Sequence, residues 1–539
     1  MLPETSRGIQ PDVPLYARPE VRERRWFLLG VLCLSLVMIV MAVSSLNVAL
    51  PTLQQDLGAS ATVLQWIVDS YALVFAGLLL TAGALGDRFG RKGTLLVGLG
   101  IFGVGALLSG LAGSAEVVIA GRAIQGAGAA FVMPSTLSLL TAIFPPEERQ
   151  RAIAIWVGFA GAGGALGPIV SGALLERFWW GSAFLVNVPV VVLTAVAVAL
   201  YSPRSKDDTA TPLDPRGALI SLVGLTALLF GIIEGAERGW TDAYVLGSFV
   251  VAAILLWAFV RWERVAPHPM LPMSYFGDRR FSVGSAVITT SFFVMLGWFF
   301  LFSLYLQFAR GYSPLEAGLA MLPFAPVFIV LSPRSAAIAA RLGTGRTIAL
   351  GFLLVGLGMA VLGFVEVDTE YVVLVVAMVL MAAGMSITAA PATTSIMSAV
   401  PLSKAGVASA VNDTTRELGG ALGIAVFGSL VSALYRANLD LGGVDVPVSA
   451  AEDAEESLGA AIGVGAQVGG SDGVTLVERA AEAFTDAFSV TAVVSAVIVV
   501  VAALLVRRTF TTAQELAAEA AAFDDSGALD LVSSPVAAD

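Results

Sequence analysis

The chain is a succession of long apolar runs joined by short polar segments, and that alternation leaves few folds open to it. In a helix, about 20 apolar residues span about 30 Å, the hydrocarbon thickness of a bilayer. Roughly fourteen such runs can be placed, starting near residues 27, 62, 94, 116, 150, 181, 216, 243, 282, 314, 346, 371, 403 and 485. Their continuous apolar character excludes a membrane β-barrel, whose strands alternate in polarity. Charged residues are 13% of the chain, against about 25% in soluble domains. The expected fold is therefore an all-α polytopic membrane protein.

Lys and Arg fix the expected orientation. With the N-terminus inside, 22 of the 30 basic residues fall on the cytoplasmic side and five outside (Arg177, Arg238, Arg310, Arg436 and Arg479). The remaining three lie within spans. This asymmetry places both termini in the cytoplasm of a multi-pass inner-membrane protein. Residues 1–26 read as a polar cytoplasmic tail without a signal peptide. The net charge of −11 gathers in an external segment, 436–484, and in a tail, 509–539, both expected to be solvated. Cys33 stands alone, so no internal disulfide forms, and the single histidine, His268, precludes a histidine-built metal site. No phosphate-binding GxxxxGK[ST] string occurs, and no cofactor or nucleic-acid partner is implied.

One joint is denser than the rest. Gly83 to Gly93, GALGDRFGRKG, concentrates Asp87, Arg88, Arg91 and Lys92 among four glycines, Gly83, Gly86, Gly90 and Gly93. Its spacing recurs at Ala339–Arg346, where Arg341 and Gly343 match Arg88 and Gly90, while Ala340 replaces Asp87. The repeat divides the chain into six spans (27–201), an inserted pair with its loops (202–280) and six more spans (281–508). LNVALP at 46–51, QWIVDSYAL at 65–73, GRAIQGAGAAFVMP at 121–134, GGALGPIVSG at 163–172 and VNDTTRELGGALGIAVFG at 411–428 follow in order. Together these segments resemble the fourteen-helix drug:H+ antiporter branch of the major facilitator superfamily across nearly all of residues 27–510. The resemblance implies two six-helix halves with two helices inserted between them, and alternating access to a central site.

Arg122 lies inside the fourth span, roughly 9 Å deep by helix rise. An arginine there costs at least about 2.5–3.5 kcal/mol on insertion scales, so it requires a partner. Asp69 in the second span shares that depth, with Asn47 near both and Gln125 one turn from Arg122. We expect an Asp69–Arg122 couple, which is either the proton-carrying site or a static ion pair. The resemblance links the arginine of RxxQG to proton transfer, and it implies an acid at position 42, where this chain has alanine. That absence shifts weight to Asp69 and to Glu234, although Glu234 also reads as an interfacial residue.

By the same resemblance, Gly83, Asp87, Arg88, Gly90, Arg91 and Lys92 form an inner-gate motif in which Asp87 meets basic groups and a helix N-terminus of the other half. Gly163, Gly167, Pro168 and Gly172 resemble the antiporter motif of exporters. In the thirteenth span Asn412, Asp413 and Arg416 form a polar cluster. Asp413 and Arg416 are spaced to pair, and the alternative is a contact between this cluster and Asp87. Trp66, Gln125, Phe293, Trp298, Tyr305 and Gln307 are candidates for the cavity lining. The expected function is proton-coupled export of amphipathic, drug-like compounds by a monomer. A dedicated exporter of one metabolite, antibiotic or lipid is the alternative, with an intramembrane enzyme or sensor as the reading from another class.

Overall fold

A computed structural model describes residues 14–57, 59, 61–203, 212–444 and 446–510. Arg7, Arg204, Lys206 and the acidic tail beyond residue 510 lie outside the described residues, as does the Asn47 side chain. Among the described residues fourteen helices are long and apolar enough to cross a membrane. We number these spans α1 (Pro19–Ser44), α2 (Val63–Phe89), α3 (Arg91–Gly110), α4 (Ala115–Ile143), α5 (Pro146–Leu175), α6 (Ser182–Tyr201) and α7 (Pro215–Gly235). They continue as α8 (Ala243–Glu263), α9 (Arg279–Ala309), α10 (Leu315–Leu342), α11 (Thr344–Leu362), α12 (Tyr371–Ser398), α13 (Leu402–Asn438) and α14 (Gly470–Thr509).

Local chemistry sets many of the ends. Asp214, Asp242 and Asp278 cap the N-termini of α7, α8 and α9 with their carboxylates, and Ser313 with Glu316 forms a capping box before α10. Each satisfies amides that have no partner inside the helix. The α2–α3 joint turns at Gly90 (φ 103°) and the matching α10–α11 joint at Gly343 (φ 83°). Side chains with a Cβ rarely adopt that conformation, so the sequence echo is matched by the same glycine turn in the structure.

The six-helix halves, α1–α6 and α9–α14, meet where α2 and α4 face α13 and where α5 faces α10 and α12. Helix α7 of the inserted pair packs against α2 and α13 at the seam, and α8 packs on α7. We call the end that carries Arg88, Arg91, Arg149 and Arg341 the basic end.

Two boundaries differ from expectation. Residues 19–26 are not a loose tail, because α1 already begins at Pro19, with Glu20 in its first turn. Pro at the first helical position and an acid beside the N-terminus both favour that start. The 436–484 segment is not a solvated loop. It forms short helices at Val448–Glu456 and Leu458–Val468, and α14 begins at Gly470. Ala454, Leu458, Ala461 and Leu476 are buried, the Tyr435 hydroxyl donates to the Ala454 carbonyl at 2.8 Å, and Arg479 donates to the carbonyls of Asp440 and Gly442. Alternating acids and small apolar groups let this segment bury one face while keeping its charge in solvent.

Candidate functional site, a latch between halves and a buried charged belt

At the basic end α2 delivers Asp87 to the other half. Its carboxylate accepts the Gly406 amide at 2.8 Å and the Val407 amide at 3.1 Å. These are among the first amides of the α-helix that starts at Ala405, groups with no carbonyl partner and a positive dipole end behind them. Arg91 approaches Asp87 at 3.3 Å and also donates to the Leu402 carbonyl. Both Asp87 and Arg91 are 7% exposed. The approach needs glycine, since a Cβ on Gly83 would lie 2.7 Å from that of Ala410. Lys92 does different work within its own half, donating to the carbonyls of Ala199 and Ser202 at the end of α6. Arg88 stacks on Phe89 at 5.5 Å.

About two turns into α4, Arg122 is 1% exposed. Its Nε donates to the Ile67 carbonyl and its Nη1 to Gln125 Oε1, both at 3.2 Å, and its guanidinium lies 4.3 Å from the Tyr71 ring centroid. Among the described residues no hydrogen bond or ion pair joins Arg122 to Asp69. Ile67 and Tyr71 are one turn apart on one face of α2, whereas Asp69, two residues from each, points to another. Asp69 shares its face with Trp66 and Leu73, which pack with Leu229 and Phe230 of α7 and Leu418 of α13.

In α13, Thr393 donates to Asn412 Oδ1 at 3.0 Å, and the Asn412 amide donates to Asp413 Oδ1 at 3.3 Å. Asp413 Oδ2 and the Nε and Nη2 atoms of Arg416 are buried without hydrogen-bond partners. Asp413 and Arg416 do not close into the expected ion pair among the described residues. The guanidinium instead lies between two rings, Trp156 of the first half at 5.0 Å and Phe292 of the second at 5.1 Å. Nor does the cluster touch Asp87, which is held by backbone nearer the start of the same span. Glu417, the next residue, has Asp413 and Arg416 as charged neighbours and lies within electrostatic reach of Tyr71 across the seam. Arg122, Tyr71, Glu417, Arg416 and Asp413 thus form a polar belt through both halves.

Other candidates take plainer places. Glu234 is ion-paired with Arg238 one turn on. Gly163 and Gly167 bring α5 onto α1, and Ser44 Oγ meets the Gly163 carbonyl at 3.5 Å. Pro168 and Gly172 face Gly318 and Leu315 of the α10 region. Ser332 of α10 donates to the Ala154 carbonyl of α5 at 2.6 Å, a second tie between halves. Trp298 and Tyr305 are buried in the second half, where they stack with Phe302, Phe324 and Phe488. The Tyr305 hydroxyl donates to the Glu366 carbonyl at 2.8 Å. Trp66 packs near Phe230, Phe293 meets Phe427, and Gln307 donates to Ser303. Gln125 serves as the partner of Arg122. Trp156 and Thr393 escaped sequence reasoning, since nothing around either marks it out from an ordinary apolar span.

Residues 32–424 match the family model described as Major Facilitator Superfamily. The chain is 35% identical over 488 residues to the multidrug efflux pump LfrA of Mycolicibacterium smegmatis, covering 90% of this chain and 96% of that protein. It is 33% identical over 470 residues to the methyl viologen resistance protein SmvA of Salmonella typhimurium, covering 87% of this chain and 94% of SmvA. Among solved structures, the human organic anion transporter MFSD10 superposes with a TM-score of 0.58 at 14% identity, over 89% of this chain and all of that one. At that identity the likeness speaks for the fold alone.

Proposed function

The chain belongs to the Major Facilitator Superfamily, and we propose from that premise that it exports amphipathic drug-like compounds from the cytoplasm in exchange for protons. Near-full-length relatives that are an efflux pump and a resistance protein support export. The basic end is the cytoplasmic face, as the positive-inside rule requires, and the chain acts as a monomer in the inner membrane. The conformation described is then closed to the cytoplasm, with Asp87 as the bolt.

One observation carries the coupling, namely the charged belt across the seam between the halves. Ionisable groups at such depth cost several kcal/mol, and the orphaned atoms on Asp413 and Arg416 leave part of that cost uncompensated in this state. A second state, a proton or a cationic substrate must supply the missing partners. Asp69 on the first half and Asp413 with Glu417 on the second are the carboxylates that take up and release protons. Arg122 and Arg416 set the charge they work against. As the halves rock, the Trp156 and Phe292 rings part and Arg416 changes partners. Rings around the belt offer cation–π contact to cationic compounds.

Reconstituted liposomes with an imposed pH gradient test this reading. Internal pH is followed while a panel of lipophilic cations and neutral amphiphiles is added to wild type, Asp69→Asn and Asp413→Asn. Substrate-evoked proton flux in wild type that is lost in at least one variant is expected. Flux retained in both variants would remove Asp69 and Asp413 from the coupling, flux retained also in Glu417→Gln would remove the belt, and no flux with any compound would defeat proton-coupled drug export.

A further inference from the structure

Beside the latch, the inserted pair makes contacts that the export cycle above does not use. A cavity of about 330 Å³ lies there, lined by apolar groups of α2 and α7 together with Asp214, His268, Lys404, Asp87 and Arg88. Asp214 accepts the Gly217 amide at 2.9 Å with one oxygen and the Trp262 indole N–H at 2.7 Å with the other. Glu263, in the last turn of α8 and 2% exposed, accepts the Leu271 amide at 2.9 Å through Oε2. Its other oxygen, Oε1, is buried without a hydrogen-bond partner. A Cβ on Gly217 would lie 2.5 Å from both Glu263 Oε1 and Asp214 Oδ2. The orphaned oxygen therefore converges on the Asp214 carboxylate, no more than twice that distance away.

We propose that Asp214 and Glu263 form a proton-binding site that ties the two inserted helices together beside the inner gate. Two carboxylates this close, one with an unsolvated oxygen, cannot both stay ionised cheaply. A single shared proton removes the repulsion and gives Oε1 its missing partner. Charged groups face the pair from each neighbouring element. Lys404 comes from the start of α13, Arg216 stacks on Trp262 at 5.2 Å, His268 belongs to the segment after α8, and Asp87 and Arg88 lie across the cavity. With the proton bound, the pair carries one negative charge opposite Lys404. Losing it adds a second, and Lys404 is the cation placed to answer. Lys404 stands two and three residues before Gly406 and Val407, the amides that Asp87 holds. Its displacement acts on the latch directly, so protonation favours the closed gate and alkaline conditions at this face loosen it.

Infrared difference titration of the full-length chain in nanodiscs tests the assignment, and it needs no substrate, so it stands apart from the export assay. Wild type loses a carboxylic-acid C=O band on alkalinisation, and that band is missing in Glu263→Gln, which retains an oxygen for Leu271. Asp214→Asn removes the like charge and moves the loss lower by about one pH unit or more. Identical titrations for wild type and Glu263→Gln would overturn the proposal, as would an Asp214→Asn titration unchanged from wild type. A wild-type band abolished at constant pH by added Na+ or Mg2+ would also overturn it, in favour of a metal-cation site. Should Glu263→Gln fail to fold, the Asp214→Asn titration decides alone.

Discussion

Replacing Asp87 by asparagine isolates the charge of the latch at nearly constant volume. In the closed state the carboxylate takes two amides, one on each oxygen, at 2.8 and 3.1 Å. Hydrogen bonds to a charged group contribute about 1.5–3 kcal/mol each. Asparagine keeps one acceptor and turns an NH2 toward the other amide, so one bond is lost and the survivor loses its charge assistance. The interaction with the helix dipole, up to about 2 kcal/mol when partly buried, goes as well. Together these changes weaken closure by about 3 kcal/mol, or about a hundredfold in the closed-to-open ratio. The assay is disulfide formation between cysteines at Arg88 and Ser403, which line the same cavity, in a background where the buried Cys33 is alanine. Asp87→Asn should slow cross-linking steeply, and Asp87→Glu should slow it less. Cross-linking in Asp87→Asn at the rate of the unsubstituted background would refute the latch.

Gly83→Ala should also slow that cross-link, because the added methyl meets Ala410 and the Gly406 carbonyl; an unchanged rate would mean that the helices do not approach so closely. Arg122→Ala, which removes two hydrogen bonds from a charged donor and a ring contact, should lower thermal stability by about 1.5–3 kcal/mol, read from the unfolding midpoint in detergent. Arg122→Lys, which cannot fork between Ile67 and Gln125, should recover only part of that loss. Deleting residues 443–468 should destabilise the second half, measured by the same unfolding scan, because the segment buries Ala454, Leu458 and Ala461. Tyr435→Phe alone should cost about 1 kcal/mol through its lost bond to Ala454.

Hydropathy carried most of the architecture. All spans but the first and last begin within four residues of where the apolar runs place them. The exceptions have one cause, since α1 and α14 extend past their apolar cores as polar helix, and a hydropathy window registers only the core. The Gly90 and Gly343 turns were legible because only glycine suits their backbone, and Asp87 because an acid among glycines has few reasons to be there. The belt was half legible. Counting helix rise placed Arg122 and Asp69 at one depth, yet depth says nothing of azimuth, and Arg122 turned to the Ile67 and Tyr71 face. For Arg416, the i, i+3 spacing to Asp413 permitted a pair, but aromatic faces from two other helices took the guanidinium. Such competitors are distant in sequence, and no local pattern announces them.

The repeated turn carries its acid in one copy only, Asp87 in the first and Ala340 in the second. A repeat protein with a carboxylate in each copy would fasten its closed end at two points, and both would have to let go together. Here, among the described residues, the carboxylate fastening is made once, with the Arg91 bond to Leu402 beside it, and on the proposed reading this joint sets how tightly the closed end seals and how readily it yields. Sealing and speed are then governed by the same few atoms and trade against one another. A faster pump built on this frame is also a leakier one.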